Sequence, residues 1–225
     1  MYATVLRVLR QHAGAMSSRI SPCLSEHEVA NAPTDTRGSG MRTLITTHFV
    51  SLDGVAEAPG GEPGYRHSGW TLDIEDDPAV YEKKGAEQEE ATAFLMGGRS
   101  YEAFAPVWPE MDFFAGWNAM PKYVVSSTVT DPEWTNTSVL ASLDDVAALK
   151  ETDGGPIYVQ GSMLLTQNLL KAGLVDEVRL TVFPVILGSG RGIFPTDAAD
   201  KVKLTLTDCT TFANGVQYQV LKVRG

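Results

Sequence analysis

The sequence predicts an α/β domain with a mostly parallel mixed sheet that carries an antiparallel hairpin at its C-terminal end. Two observations predict this class. Up to residue 183, short apolar or alternating segments are separated by segments with helical signals, an order typical of parallel strands joined by helices. After it, two alternating segments flank Asn214-Gly215, a dipeptide typical of tight hairpins. Together these features favour a sheet with a parallel and an antiparallel part.

The first predicted strand spans 42–50, where apolar side chains occur on both faces. It ends at the segment SLDG, residues 51–54, and a Pro/Gly-rich loop follows to Gly69. Loops of this length are uncommon inside compact domains and often act as lids. Asp53 allows two interpretations: a carboxylate close to a substrate, or a residue that simply forms an Asp-Gly turn.

The middle of the chain alternates helices and buried strands. A helix should begin at Pro78 and run toward Ala91, because two acids precede the proline. Short apolar runs or clean alternation predict strands at 93–96, 122–126, 139–140, 156–159 and 177–183. Between them we expect a helical turn at 101–104, a helix with Ser142 as N-cap at 143–151, and a helix after Gly161-Ser162. The hairpin strands are predicted at 201–206 and 216–220.

Length and composition bound the classes of function. A chain of 225 residues fits one domain, or one domain with a tail, and 43% hydrophobic residues suffice for a core. The formal net charge of −10 disfavours nucleic acid and anionic membranes as partners, and no apolar run approaches the roughly 20 residues of a membrane span. Cys23 and Cys209 are the only cysteines, so the sequence predicts neither a disulfide framework nor a zinc site, and it fits a reducing, cytoplasmic location.

Residues 1–40 are expected to form a disordered N-terminal extension, and the folded domain is predicted to span 41–225. Arg7, Arg10 and Arg19 precede the first acid, which resembles a transit peptide. The segment NAPTDTRGSG at 31–40 has the composition of a loop. We therefore place the first residue of the domain at Met41.

Two glycine turns are the main candidates for chemistry. The segments GGRS at 97–100 and GS at 161–162 each follow a buried strand and open a helix. Glycine lets the backbone approach a ligand, and a helix start offers unpaired N–H groups. If the two strands are neighbours, the turns could bind a pyrophosphate between them; alternatively, each is only a tight turn. Neither matches the Rossmann or the P-loop pattern.

Four other residues are candidates beside these turns. Arg99 would favour NADPH over NADH, because a guanidinium binds a phosphate monoester with two hydrogen bonds; its alternative is a surface ion pair. Ser126 and Ser127 end a predicted strand, where hydroxyls could bind a nucleotide or satisfy loop backbone. Trp70 could line a pocket or belong to the core. No metal-ligand cluster and no Ser/His/Asp set can be assembled, which argues against hydrolysis.

These segments occur in the order of a known family. SLDG, FLMGGRSYEAF, KYVVSST and IYVQGSMLLTQNLLKAGLVDEVRLTVFPVILGSGRGIF, followed by a hairpin, resemble the dihydrofolate-reductase-like superfamily. The chain is most similar to the C-terminal reductase domain of the bifunctional riboflavin-biosynthesis deaminase-reductase and to its stand-alone relatives. The resemblance covers Met41 to about Val223, and it implies a three-layer α/β/α fold that binds NADPH.

Carried over position by position, the resemblance implies which residues form the site. It implies cofactor contacts from Gly97, Gly98, Arg99, Ser100, Ser126, Ser127, Gly161, Ser162 and Met163. It implies a substrate side formed by Asp53, Trp70, Gly188, Ser189 and Gly190, with Asp53 as the candidate catalytic residue. The acid and the arginine that hold folate in dihydrofolate reductases have no clear match here, so the cofactor transfers better than any substrate.

The predicted reaction is transfer of a hydride from NADPH to a C=N, C=C or C=O carbon of a small, heterocyclic substrate. The cofactor would carry the chemistry, and the protein would supply position and electrostatics. The alternative is a module that binds NADPH without turnover. The resemblance also implies a homodimer.

Overall fold

The structure is a computed structural model that describes residues 21–22, 41–197 and 200–224. The predicted disordered extension over 1–40 lies outside these residues except at Ser21–Pro22, which form a short strand instead. The predicted domain at 41–225 is described apart from residues 198–199 and 225.

Nine strands and five α-helices make up the described part of the chain. The strands are β1 (Ser21–Pro22), β2 (Leu44–Ser51), β3 (Ala93–Gly97), β4 (Lys122–Val125), β5 (Thr137–Leu140), β6 (Ile157–Gln160), β7 (Glu177–Phe183), β8 (Leu204–Thr211) and β9 (Gln217–Val223). The helices are α1 (Pro78–Glu90), α2 (Gly98–Phe104), α3 (Ala115–Ala119), α4 (Leu143–Lys150) and α5 (Met163–Lys171), with short 3-10 helices at Trp70–Asp73, Trp108–Glu110 and Asp112–Phe114. Every predicted element is present, although its ends shift by a few residues. The sequence did not predict β1, α3 or the 3-10 helices.

The sheet has the order β1-β8-β9-β7-β2-β6-β3-β4-β5. From β7 to β5, all neighbouring strands are parallel, whereas β9 pairs antiparallel with both β7 and β8. The hairpin between β8 and β9 turns through Asn214 and Gly215, and Gly215 has a φ of +82°. The predicted mixed sheet with a C-terminal antiparallel hairpin is therefore confirmed.

Helices cover both faces of the sheet, so the fold has three layers. On one face, Leu95 of β3 belongs to a core cluster with Leu169 of α5. On the other face, Phe94 of the same strand packs with Trp117 of α3. Neighbouring residues reach different layers because successive side chains of a strand point to opposite sides.

Helix α1 begins where the sequence predicts. Asp77 accepts a hydrogen bond from the Ala79 N–H at 3.1 Å, and Pro78 occupies the first helical position. This start sets the rotation of α1, and therefore which of its side chains face the sheet and the space beside it.

Two observations concern the cellular setting. Cys209 in β8 is disulfide-bonded, a bond that the cysteine count and spacing do not predict, because they carry no information on spatial proximity. None of the described helices combines the length and the apolarity needed to cross a membrane.

Candidate active site

Three strand ends meet at one edge of the sheet. Strands β6, β3 and β4 are adjacent and parallel, so the turns at 161–162, 97–98 and 126–127 lie side by side. The Gly97 N–H donates to Ser162 Oγ across 2.8 Å, so the first two turns are in direct contact. The structure therefore has the adjacency that the glycine-turn hypothesis requires.

Ser100 and Ser162 tie the two glycine turns together. Ser162 Oγ donates to Ser100 Oγ across 2.6 Å, and the Ser162 N–H donates to the same oxygen across 3.0 Å. Because Ser162 Oγ also accepts from Gly97, the two hydroxyls form a continuous link from β3 to the start of α5. This link fixes the starts of α2 and α5 relative to each other.

Close packing requires glycine at two positions of these turns. A Cβ on Gly98 would lie 2.8 Å from Ser126 Oγ. Gly161 has a φ of +68°, and its Cβ would lie 3.0 Å from the Phe104 ring. A residue with a side chain at Gly161 would be strained by both its φ and this contact. Backbone, rather than side chains, therefore forms this part of the surface.

The starts of α2 and α5 are suited to an anion. Neither helix has a side-chain N-cap, so no capping side chain satisfies the N–H groups of its first turn. Arg99, in the first turn of α2, is exposed. Uncapped helix starts beside a free-standing guanidinium form a donor set that binds phosphate groups well.

A cavity of about 780 Å³ opens beside these turns. Seven predicted cofactor residues line it: Gly97, Gly98, Arg99, Ser100, Gly161, Ser162 and Met163. Much of the remaining wall comes from residues 47–49 of β2, the loop at 56–65, one face of α1 and the segment 103–117. This volume is in the range of sites for cofactors and small molecules.

The other predicted site residues lie outside the described cavity wall: Asp53, Trp70, Ser126, Ser127, Gly188, Ser189 and Gly190. Ser126 touches the first glycine turn, but its Oγ accepts the N–H groups of Thr128 and Val129, each at 3.1 Å. Its hydroxyl thus satisfies loop backbone, which is the alternative left open by the sequence. Ser127 is exposed.

Trp70 and the turn at 188–190 contact the long loop and do not line the described part of the cavity. Trp70 is 1% exposed, and its Nε1 donates to the Glu57 carbonyl at 2.9 Å. The Tyr65 hydroxyl donates to the Ser189 carbonyl at 2.5 Å. A Cβ on Gly190 would lie 2.6 Å from a methyl carbon of Val55, so the turn packs directly against this loop.

Asp53 anchors the loop that follows β7. Its Oδ1 accepts from Ser51 Oγ at 2.6 Å and from the Leu187 N–H at 3.1 Å, and its Oδ2 accepts from the Gly188 N–H at 2.8 Å. The Ser51 hydrogen bond, followed by those from the backbone, lowers the pKa of Asp53 to about 2. A carboxyl group with this pKa is ionised at neutral pH and is a poor proton donor. The geometry supports a loop-anchoring role and gives no support to the predicted catalytic role.

We expect Asp53→Asn to weaken this anchor without changing the chemistry. Because folding lowers the pKa of Asp53 from 3.8 to about 2, its stabilising effect is complete above 3.8 and is lost as the pH falls through about 2. The group is exposed, so the variant should lose less than about 1 kcal/mol at neutral pH, and this difference should vanish in strong acid. Urea unfolding across pH measures it. An altered pH profile of turnover would instead support catalysis by Asp53.

A buried charged pair, which the sequence analysis missed, contributes its lysine, Lys84, to the wall of the same cavity. Helix α1 presents Tyr81, Lys84 and Gln88 to it, with the spacing of one helix face. Lys84 Nζ donates to Thr47 Oγ1 at 2.5 Å and to Glu87 Oε2 at 3.0 Å, and the two charged side chains are 6% and 1% exposed. Burial lowers the pKa of Lys84. The i, i+3 spacing is visible in the sequence, but the many other charges of α1 hide which pair is buried.

His48 adds a neutral polar group to the cavity wall. Its Nε2 lies 3.1 Å from Thr166 Oγ1. Burial, and to a lesser degree the charge of Lys84, lowers the pKa of His48 to about 3. The imidazole is therefore neutral at physiological pH. Within the described ranges, no group of three or more His, Cys, Asp and Glu side chains could hold a metal ion.

A comparison of the chain with models of known protein families shows its family. The family model of the RibD C-terminal domain matches residues 42–218. The chain belongs to this family. The matched range includes all the described residues that line the cavity, which run from Thr47 to Arg191. Membership also agrees with the dihydrofolate-reductase-like superfamily that the sequence resembles, and it supports a reductase of the riboflavin-biosynthesis type.

Two curated relatives come from Bacillus subtilis (strain 168), and both are uncharacterized proteins. YyaP is 27% identical over 186 residues, which cover 78% of this chain and 92% of YyaP. YwjB is 33% identical over 76 residues, which cover 34% of this chain and 43% of YwjB. The names of these two relatives give no substrate.

Two solved structures share the fold. A "Putative riboflavin biosynthesis protein" from Shewanella sp. PV-4 has a TM-score of 0.66 at 20% identity, covering 81% of this chain and 99% of that chain. RibD of Acinetobacter baumannii, form 1, has a TM-score of 0.55 at 14% identity, and the match covers 83% of this chain and 59% of RibD. At these identities the two structures support the fold alone.

Proposed function

We propose that this protein is an NADPH-dependent reductase that transfers a hydride to a small, heterocyclic substrate. The observation that carries the proposal is the contact between the glycine turns after β3 and β6 at the wall of a cavity of about 780 Å³. Membership of the RibD C-terminal domain family supports reductase chemistry in this fold. Neither argument alone would distinguish a phosphate-binding turn from a tight turn, but together they favour a dinucleotide.

The residues at the cavity edge fit a cofactor that carries phosphate groups. In this proposal, N–H groups at the starts of α2 and α5 bind the pyrophosphate of NADPH, and Arg99 binds its 2′-phosphate. Gly98 and Gly161 keep side chains away from this surface. When bound there, NADPH supplies the hydride.

The chain's own contribution is to hold the substrate and to exclude water from it. The long loop borders the cavity through Ala56 and Glu57, and it is fixed at its base. The Ala56 N–H donates to the Arg191 carbonyl at 2.9 Å, and Arg191 Nη2 donates to Glu57 Oε1 at 2.6 Å. The predicted lid movement of this loop stays a prediction. The proton for the product would come from water or from a cavity side chain other than Asp53.

Fluorescence titration with NADPH and NADH tests the proposal directly. We expect saturable binding of NADPH, and weaker binding of NADH, because NADH lacks the 2′-phosphate. NADPH oxidation, followed by absorbance with dihydrofolate and with pyrimidinediones as acceptors, then tests turnover. Absence of NADPH binding would reject the proposal, and saturable binding without consumption by any acceptor would favour the non-catalytic NADPH-binding module.

A homodimer and a cytoplasmic location are two further proposals. The homodimer rests only on the family resemblance, and sedimentation velocity would measure it. The cytoplasmic location rests on the biosynthetic character of the family.

A further inference from the structure

We propose that the substrate is a planar heterocycle without a phosphate group, which packs against an aromatic wall and accepts a hydrogen bond from Lys84 through a ring carbonyl. The aromatic wall consists of Phe104, Trp108, Phe113 and Phe114, which all line the cavity. This inference rests on the proposed function, because it names the substrate class of the same site.

The aromatic wall is a continuous stack of rings. The Trp108 centroid lies 4.0 Å from that of Phe104 and 3.9 Å from that of Phe114, with interplanar angles of 16° and 9°. Phe113 meets Phe114 edge-on at 5.1 Å. Such a surface favours burial of a flat, apolar ring system and offers no partner to an anionic group such as a phosphate.

Lys84 lies next to the aromatic wall. Its two neighbours on the cavity face of α1 both contact Phe113. The Tyr81 ring meets the Phe113 ring edge-on, with 6.5 Å between centroids, and Gln88 Nε2 donates to the Phe113 carbonyl at 2.9 Å. A substrate ring packed on the aromatic wall would therefore have the Lys84 ammonium close to its edge.

The Lys84 ammonium has one donor to offer. Of its three N–H bonds, Thr47 Oγ1 and Glu87 Oε2 accept two. Nζ also lies 5.1 Å from the centroid of the Phe49 ring, a weak contact that a carbonyl oxygen can replace. Because Glu87 already neutralises the ammonium, the pair suits a neutral acceptor better than a dianion.

Under the proposed function, none of the positive charges that line the described cavity is left for a phosphate group of the substrate. Its described wall carries three cations, Lys84, Arg99 and Arg191. Lys84 has its buried carboxylate, Arg191 is paired with Glu57 at 2.6 Å, and Arg99 stands beside the glycine turns of the cofactor half. A phosphate on the substrate would need an uncommitted cation, and it would meet the acids Glu57 and Glu62 of the same wall.

Two compounds that differ only in a phosphate test this inference on the unaltered protein. They are 5-amino-6-(5-phosphoribosylamino)uracil and its dephosphorylated form, each titrated by calorimetry into protein saturated with NADP⁺, which has no hydride to transfer, so that the heat reports binding without turnover. We expect the dephosphorylated compound to bind about tenfold more tightly or better. Equal or tighter binding of the phosphorylated compound, or no binding of either, overturns this inference and leaves the proposed function standing. Failure of NADPH itself to bind overturns both.

A double variant tests the part assigned to Lys84. Lys84→Met/Glu87→Gln removes both charges, so that neither is left buried alone. We expect the Kd of the dephosphorylated compound to rise about tenfold, while the Kd of NADPH stays within about twofold of the wild type, which also shows that the variant is folded. Lys83→Met, on the same helix but off the described cavity wall, is the control and should change neither Kd. An unchanged Kd for the dephosphorylated compound in the double variant contradicts the role of Lys84.

Discussion

Glu87→Gln is expected to lower the free energy of unfolding by about 3 kcal/mol. Glu87 is 1% exposed and accepts hydrogen bonds from Lys84 at 3.0 Å and from Thr47 and Tyr218 at 2.9 Å. The amide removes the only negative charge that contacts the Lys84 ammonium among the described residues, which leaves that ammonium buried without a counter-charge. Urea unfolding at neutral pH, followed by circular dichroism, measures the difference.

Two further variants separate burial of the charge from the substitution itself. Glu89→Gln makes the same chemical change on the exposed side of α1 and should cost less than about 0.5 kcal/mol. The double variant Lys84→Met/Glu87→Gln should have a higher free energy of unfolding than Glu87→Gln, because it leaves no charge buried without a partner. Equal stabilities of Glu87→Gln and Glu89→Gln would contradict a stabilising buried pair.

Arg99→Ala is expected to raise the Kd of NADPH about 10–100-fold, the effect of losing hydrogen bonds to a charged group. The Kd of NADH should change by about threefold or less, because NADH has no 2′-phosphate for the guanidinium to bind. Fluorescence titrations of both cofactors with both proteins measure this discrimination. Arg99 is exposed, so the variant should fold normally.

A matched loss of charge controls for the general electrostatic attraction of an anionic cofactor. Lys203→Ala removes one exposed cation away from the described cavity wall and should leave both constants unchanged. If Arg99→Ala weakened NADPH and NADH equally, or neither, the assignment of Arg99 to the 2′-phosphate would be wrong.

The glycine turns were predictable because their signals are local. Each turn follows a short apolar run, and the sequence placed the helices after Gly97 and Gly161 within a few residues of α2 and α5. The order of parallel strands, in which β3 lies beside β6, then brings the turns together. Local patterns fix the ends of strands, and parallel pairing aligns those ends at one edge of the sheet.

The predicted substrate-side residues stay a prediction, and their positions in the fold are set by contacts with distant parts of the chain. For Trp70 the sequence left a pocket wall and the core as alternatives, and the structure has it in the core, edge-on against Phe183. Asp53 directly follows β2, a position where a catalytic acid could lie. Its carboxylate instead accepts hydrogen bonds from the backbone of Leu187 and Gly188, which lie 134 and 135 positions further along the chain.

In the sequence, Lys84 and Glu87 resemble the surface charges of α1. Only the fold shows that they are buried, because the Thr47 hydroxyl of β2 contacts Lys84 and the Tyr218 hydroxyl of β9 contacts Glu87.

By itself, the sequence determined the fold class, the antiparallel hairpin and the two glycine turns that open helices, because periodicity and glycine placement act over a few residues. Only the tertiary structure decided which charges are buried, which aromatic rings form the cavity wall and which face of α1 lines the cavity. Those properties depend on contacts between segments that are far apart in the chain. Thr47 and Glu87, for example, are 40 residues apart in sequence, and the Thr47 hydroxyl donates a hydrogen bond to the Glu87 carboxylate at 2.9 Å.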